Sequence, residues 1–308
     1  MTRVNINIKH LTHDQVDKVK WDACLERAAN GLIYSSSYYL DRMSKHWDAL
    51  VLNDYEAIMP LTWNRKYGFF YLYQPPFTAC LGIFGNELDA GLLIAFLNAI
   101  PSHFRYWDIY LNPDNYFNQA SYPLYERVNY ILPLHDSYES LYGRFRENTQ
   151  RNIKKSVQAG CIVKKDIPVN EVIYLSNQQL GSFSKGVKEG FENIAELYHY
   201  LHDRKKAITY GVYNSTGKLA ASAVFFFDHK RAYYILVGNH RDGKATGASH
   251  ALLNAFIKDH ARQPLILDFE GSDIPGLASY YSSFGSAVEK YPGLKLNRLP
   301  APLRWLKK

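Results

Sequence analysis

Apolar and polar positions along the chain form two similar series of short runs. The first half contains the runs "DALVL", "EAIMPLTW" and "FFYLY", separated by turn residues, then a helical period over Leu88–Ala99 and the run "RYWDIYL". The second half contains "AITYGVY", "LAASAVFFFD" and "AYYILVG", then a helical period over Ala248–Asp259 and the run "LILDFE". Short runs between turn residues predict strands, and longer runs of period 3.6 predict helices. The pattern therefore predicts an α/β fold with mixed, largely antiparallel sheets flanked by helices.

The strands and helices of the two series are related by a constant offset of about 160 residues, as expected of a duplicated unit. The stretch "ILPLHDSYESL" between the series carries a proline and several polar residues, which are typical of a domain boundary. We therefore expect two tandem domains, at residues 1–135 and 136–308.

Composition narrows the class of protein. The longest apolar run, "GLLIAFLNAI", is shorter than the roughly 20 residues that a membrane span requires, and "MTRVNINIKHLTHDQ" contains no apolar signal region, so we expect a cytoplasmic protein. The cysteines at 24, 80 and 161 form no C-x-x-C pair, and we expect no metal. The net charge of +7 favours an acidic partner such as a phosphorylated cofactor, a nucleic acid or an anionic lipid surface.

The stretch "NHRDGKATGASHALLNAFIKDH" predicts a strand that turns through a glycine into an amphipathic helix. The first N–H groups of a helix and its positive dipole end form a natural phosphate site. Gly247 would allow close approach of the backbone, and Arg241 and Lys244 would supply charge. We expect the N–H groups of Gly247, Ala248 and Ser249 to contact the phosphate. In the alternative interpretation Thr246 or Ser249 is an ordinary N-cap and Gly247 an ordinary turn glycine.

Two carboxylates occur in "LDFEGSD", at the end of the last predicted strand. Strand alternation would place Asp268 and Glu270 on one face. A carboxylate with a raised pKa can accept the proton that an amine must lose before it attacks an acyl group. The alternative is that Asp268 makes local caps or salt bridges and that Glu270 is solvated.

The stretch "SLYGRFRENTQRNIKKSV" predicts an amphipathic helix. Its apolar stripe comprises Leu141, Phe145, Ile153 and Val157. A second, polar stripe comprises Arg144, Asn148, Arg151 and Lys155. Such a row of cations could bind the phosphates of tRNA, of a lipid precursor or of a cofactor, although a solvated charged face is also typical of surface helices.

The order of strands, glycine-containing loop, helix and strand resembles that of the GNAT acyltransferase superfamily. Two stretches, "RENTQRNIKKSVQAG" and "LDFEGSDIPGLASYYSSFG", resemble the Fem-type branch. Fem-type proteins have two tandem GNAT-like domains and attach amino acids to peptidoglycan precursors. Their sequences often carry glycine where Glu270 stands. A diphosphate loop of the acyl-CoA-binding kind would carry Gln or Arg, glycine, and glycine or alanine where this chain has Lys244, Gly247 and Ser249.

The resemblance implies direct acyl transfer from acyl-CoA to a small-molecule or peptide amine. In such a reaction Glu270 or Asp268, identified above from the strand end, would serve as the base. The resemblance also implies that Tyr280 or Tyr281, but not both, protonates the leaving thiolate, although aromatic core packing is the commoner reason for such tyrosines. One alternative function is a Fem-like transferase that uses aminoacyl-tRNA. Another is a non-catalytic module that binds polyanions. The stretch "GSFSKGVKEG" at 181–190 is either a mobile lid over the acceptor or a surface connection.

Overall fold

The computed structural model describes residues 7–117, 121–180, 185–271 and 273–300. The chain forms two compact units, of which the first comprises Met1–Arg127 with Lys290–Lys308 and the second Val128–Glu289. These limits differ from the expected 1–135 and 136–308, because the last strand of the chain pairs within the first unit.

In chain order the strands are β1 Ile8–Leu11, β2 His46–Leu52, β3 Ala57–Lys66, β4 Phe69–Tyr73, β5 Phe84–Gly85, β6 Phe104–Tyr110, β7 Leu124–Pro133, β8 Ile162–Lys165, β9 Ala207–Tyr213, β10 Leu219–Asp228, β11 Arg231–Asn239, β12 Ile266–Asp268 and β13 Ala287–Asn297. The α-helices are α1 Lys18–Arg27, α2 Ser37–Met43, α3 Ala90–Ala99, α4 Tyr138–Gly143, α5 Glu147–Gln158, α6 Val169–Leu180, α7 Lys185–His202, α8 Arg241–Thr246, α9 Ala248–His260 and α10 Pro275–Ser282. None of the described helices is long and apolar enough to cross a membrane.

The first unit contains a sheet in the order β1-β2-β3-β4-β6-β13. Its neighbouring strands are antiparallel except β4 and β6, which are parallel because α3 intervenes between them. Asp89 caps α3 by accepting a hydrogen bond from the N–H of Leu92. The apolar face of the helix is buried against strand residues that include Phe104 and Trp107. Burial of this face stabilises the unit through the hydrophobic effect.

The second unit contains a sheet in the order β7-β12-β11-β10-β9-β8, in which β11 and β12 are parallel and the other described neighbours are antiparallel. Helix α9 packs on this sheet. Its Phe256 ring stacks on Phe225 of β10 with centroids 3.8 Å apart, and both rings are fully buried. Stacking of large apolar rings fixes the position of α9, and therefore of its first turn, over the strands.

The two units share one order of elements. Each has three antiparallel strands, β2-β3-β4 or β9-β10-β11, followed by a helix and a parallel strand. The strand on the far side of that parallel strand is β13 in the first unit and β7 in the second. The predicted α/β fold of two mixed, largely antiparallel units with flanking helices is therefore confirmed.

Some elements differ from the predictions. The helix predicted over 140–157 is divided into α4 and α5, and Val157, expected in the apolar stripe, is 72% exposed. The loop predicted after β11 contains the short helix α8. Of the lid predicted at 181–190, residues 181–184 lie outside the described residues, and 185–190 belong to α7.

Candidate functional site

In the second unit, the pairing of the two parallel strands stops at the carboxyl end of β12. The pairing of β11 with β12 runs from Arg231 and Ile266 to Tyr233 and Asp268. Strand β11 continues to Asn239 and remains paired with β10 on its other side. Ligands of open α/β sheets bind outside the carboxyl ends of parallel strands. The end of β12, together with the first turn of α9, is therefore the candidate site.

Asp268 is buried in a network of polar side chains and is 3% exposed. One carboxylate oxygen accepts hydrogen bonds from the side-chain amide of Asn129 and from the backbone N–H of Glu270, both at 2.9 Å. The other accepts from the Arg231 guanidinium at 2.9 Å. Burial raises the pKa of Asp268, and Arg231 opposes that rise. Of the predicted roles for Asp268, the local cap and salt bridge is the one that this geometry supports.

Glu270 does not share a strand face with Asp268, so that prediction is wrong. Strand β12 ends at Asp268, and Glu270 has a left-handed backbone with φ of 66°. Its side chain is partly exposed. Burial, and to a smaller degree the charge of Glu270, raises the pKa of Tyr281 to about 12. A carboxylate and a protonated phenol therefore lie close enough to interact at neutral pH.

Tyr281 and Tyr280 belong to an aromatic cluster at the end of α10. The ring of Tyr281 stacks on Phe269 with centroids 4.9 Å apart, and burial raises the pKa of Tyr280. The Tyr280 hydroxyl is buried beside Ser249, in the first turn of α9. Both phenols are thus protonated at neutral pH, and both lie within the candidate site. The expectation that one of them is the acid stays a prediction.

The sequence analysis missed His250, the neighbour of Ser249. Its ring meets that of Tyr280 edge-on, with centroids 4.9 Å apart, and burial lowers its pKa to about 4. The imidazole is therefore neutral at pH 7. The only signal in the sequence was a polar residue on the inward side of the first turn of an otherwise apolar helix face.

Gly247 differs from its predicted role. It joins α8 to α9 with φ of 76°, and its N–H donates to the carbonyl of Gly243. A Cβ built at this position would lie 2.4 Å from the carbonyl oxygen of Asn152 on α5. The close approach that requires glycine is therefore to α5, and the Gly247 N–H is already used within the protein. Ala248 is fully buried beside it, and Thr246 bonds to carbonyls of its own helix.

The predicted cations at Arg241 and Lys244 do lie together. Both are exposed, and both line a cavity of about 460 Å³ at the end of β11. The remaining lining residues come from α6 and from the strand end: Leu175, Gln178, Gln179, Asn239 and His240. Cations and amide groups around an open cavity suit a phosphorylated ligand.

The predicted basic stripe is only partly continuous. Helix α5 contacts both α8 and α9 and exposes Arg151 and Lys155. Asn148 accepts a hydrogen bond from Arg151 at 3.0 Å. Arg144 follows α4 instead and pairs with Asp136 at 2.7 Å, so it does not belong to the same helix face.

The two stretches that carry the Fem-type resemblance contact each other. Thr149 of the first stretch donates a hydrogen bond to Ser283 of the second at 2.6 Å, and both side chains are buried. The N–H of Arg146 also bonds to the carbonyl of Ser283. The pairing links α5 to the end of α10, which carries Tyr280 and Tyr281.

No protein-family model matches the sequence, and no curated protein matches it. Solved structures do match. FemX superposes with a TM-score of 0.65 at 11% identity, over 97% of this chain and 99% of that one. A protein of unknown function from Bacteroides thetaiotaomicron gives 0.59 at 13% identity over 95% and 100% of the two chains. The C-terminal domain of a candidate lysylphosphatidylglycerol synthetase from Agrobacterium fabrum gives 0.55 at 12% identity over 94% of each. The chain therefore has the fold of FemX.

Proposed function

We propose that this protein is a Fem-like aminoacyl transferase that uses aminoacyl-tRNA as its donor and an amine as its acceptor. One observation carries the proposal: at the place where a GNAT enzyme would hold the CoA diphosphate, Gly247 packs against Asn152 and uses its N–H within the protein. The exposed cations are instead distributed over α8 and α5, which are in contact. Cations spread over several turns of helix suit the spaced phosphates of a nucleic acid.

The candidate site has the groups that this reaction needs. Glu270 accepts a proton from the acceptor amine, whose nitrogen attacks the ester carbonyl of the donor. A C–N bond forms, and the bond between the carbonyl carbon and the ribose oxygen breaks. Tyr281, which is protonated at neutral pH, gives its proton to the leaving oxygen and is reprotonated from Glu270. The net result is transfer of one proton from the amine to the ribose oxygen.

The fold comparison also supports an aminoacyl donor. FemX and the candidate lysylphosphatidylglycerol synthetase domain align over nearly all of this chain. The second name describes transfer of lysine to a phospholipid. An aminoacyl donor and an acceptor of the cell envelope therefore fit the fold.

The second candidate is an N-acyltransferase that uses acyl-CoA. The cavity beside Arg241 and Lys244 favours it, because two cations at an open cavity of about 460 Å³ can bind a diphosphate without the backbone of Gly247. In this reaction the leaving group is the CoA thiolate, and the roles of Glu270 and Tyr281 are the same.

Binding measurements separate the two donors. We expect total tRNA to bind with steep salt dependence, and the double change of Arg151 and Lys155 to alanine to reduce the slope by roughly one to two. The matched control is the double change of Arg65 and Lys66, two exposed cations of the first unit, which should leave tRNA binding unchanged. Binding of CoA in place of tRNA would establish the second candidate.

Catalysis is tested with bulk tRNA charged with labelled amino acids and with amine acceptors of the cell envelope. Glu270→Gln should lower turnover by roughly 10²-fold or more without changing tRNA affinity, because it keeps the shape and removes the proton acceptor. Full activity in this variant would remove Glu270 from the mechanism. If tRNA binds but no acceptor is modified, the protein is a polyanion-binding module.

A further inference from the structure

A network of hydrogen bonds and ion pairs surrounds Asp268, two residues before Glu270. The Arg231 guanidinium on β11 bonds to Asp268 at 2.9 Å and to both oxygens of Glu289 at 2.7 and 3.0 Å. The side-chain amide of Asn129 on β7 donates to Asp268 at 2.9 Å and to Glu289 at 3.3 Å. All four residues belong to the second unit, and they come from four different strands.

The network fixes the carboxylate of Asp268. Arg231 reaches Asp268 through one nitrogen while two nitrogens of its fork face Glu289, a planar arrangement that only arginine provides. Removing a partner from a buried ion network leaves an uncompensated charge, so the remaining groups cannot easily rearrange. Asp268 therefore has a defined orientation at the point where β12 ends.

The fixed Asp268 carboxylate also holds the backbone of Glu270. The Asp268 oxygen that accepts from Asn129 also accepts the Glu270 N–H at 2.9 Å. Glu270 has a φ of 66°, a conformation that costs a residue with a side chain roughly 1 kcal/mol and persists only where its surroundings impose it. A charge-assisted hydrogen bond from the Glu270 N–H is an interaction of the required strength.

We infer that Asp268 is a positioning residue, which, held by Arg231, Glu289 and Asn129, sets the left-handed backbone of Glu270 and so aims the Glu270 carboxylate. The inference rests on the proposed function, in which Glu270 is the base. Asp268 is not itself the base, because it is 3% exposed and both of its oxygens already accept hydrogen bonds from the protein.

Two variants of Asp268 separate positioning from catalysis. Asparagine retains an oxygen that can accept the Glu270 N–H, whereas alanine does not. Asp268→Ala should speed hydrogen exchange of the Glu270 amide by at least roughly tenfold, and should lower kcat by about the same factor with KM for charged bulk tRNA unchanged. Asp268→Asn keeps an oxygen for the Glu270 N–H but places an amide N–H against the Arg231 guanidinium, so we expect a smaller effect than that of Asp268→Ala in both measurements. Arg231→Lys keeps the positive charge but loses the planar fork of nitrogens, so it should give an intermediate result. It is the replacement test if Asp268→Ala does not fold.

Either of two results would overturn the inference. The first is an Asp268→Asn variant as inactive as Glu270→Gln, with the acidic limb of its pH–rate profile lost, since this would make Asp268 the base. The second is unchanged exchange of the Glu270 amide in Asp268→Ala. The exchange measurement needs no substrate, so it is decided independently of the proposed function. Full activity of Glu270→Gln would contradict the function and leave the exchange result standing.

Discussion

Glu270 combines a functional side chain with a backbone conformation that favours glycine. Non-glycine residues with positive φ are costly, and they often occur at sites where the geometry serves a function. At 270 the side chain is close enough to Tyr281 to raise its pKa, and the N–H is held by Asp268.

Replacement of this residue should change stability and activity in opposite directions. Glu270→Gly should raise the free energy of unfolding by about 0.5–1 kcal/mol, because glycine adopts a φ of 66° without strain, and should abolish transfer. Chemical denaturation and the transfer assay measure the two effects. Glu270→Gln is the control, which should lose activity without gaining stability. Equal stability of the glycine and glutamine variants would show that the backbone at 270 is unstrained.

The buried imidazole of His250 should make the stability of the protein depend on pH. Its pKa is about 4 in the folded protein and 6.5 in the unfolded chain, because burial disfavours the imidazolium. The unfolded chain therefore binds a proton as the pH falls below 6.5, while the folded protein does not. The stabilisation due to neutral His250 is complete above pH 6.5 and is lost as the pH falls to 4, to a total of roughly 3 kcal/mol.

His250→Phe, which keeps an aromatic ring, should remove most of this pH dependence. The measurement is the free energy of unfolding of both proteins between pH 7 and pH 4, where their difference isolates residue 250. Burial also lowers the pKa of His260, which is present in both proteins and cancels. Parallel curves for the two proteins would contradict the assignment.

At the scale of elements, the junction of α8 and α9 differs from an open phosphate-binding loop. The segment that a phosphate loop would occupy is helical from Arg241 to Thr246, and the glycine after it packs against α5. A hydrogen-bonded turn offers fewer N–H groups to a ligand than an open loop does. Under the proposed function, we therefore expect donor binding to depend on side chains of α5 and α8 more than on the backbone of Gly247.

Two glycines of similar conformation test this account. Gly247 has φ of 76° and Gly217 has φ of 78°, but a Cβ at 217 would meet nothing within 4 Å. Gly217→Ala should cost only the strain of the left-handed backbone, about 1 kcal/mol. Gly247→Ala should cost at least about 3 kcal/mol, because the added carbon overlaps the Asn152 carbonyl. Equilibrium unfolding in urea measures both. If both alanine variants lost the same free energy of unfolding and only Gly247→Ala lost affinity for CoA, Gly247 would be a diphosphate-binding residue after all.

At the scale of the whole molecule, each unit is completed by a strand that is distant in sequence from its neighbours. In the first unit β13 pairs with β6, from Gly293 opposite Tyr110 to Asn297 opposite Tyr106, and buries Leu294 completely in the core. In the second unit β7 pairs with β12. We therefore expect folding of the first unit to require β13.

Truncation tests this dependence. Deletion of residues 290–308 should remove hydrogen-exchange protection from those amides of β6 that face β13, while the amides of β10 in the second unit stay protected, because protection follows the strand that pairs with each amide. A deletion of 301–308 alone keeps β13 and should leave β6 protected. Retained protection of those same β6 amides in the longer deletion would contradict the pairing with β13.

The sequence by itself determined the local elements. Alternation and turn residues identified β4, β9 and β10 to the residue and β2, β6, β11 and β12 within two, because side-chain period and turn preference are properties of neighbouring residues. The sequence analysis did not predict β1, β5, β7, β8 or β13. The same local signals located Arg241, Lys244, Glu270 and Tyr281, and the resemblance predicted the fold.

Only the tertiary structure decided what those residues contact. Strand β7, from the first half of the chain, pairs with β12 of the second unit, and β13, from the second half, pairs with β6 of the first unit. No local pattern encodes these pairings. Asp268 became a positioning residue through Arg231, Asn129 and Glu289, which are contributed by three other strands. Gly247 was required by the carbonyl of Asn152, almost a hundred residues earlier in the chain. Each of these roles is set by groups that come together only when the chain folds, since burial and hydrogen bonding are determined by distance in space.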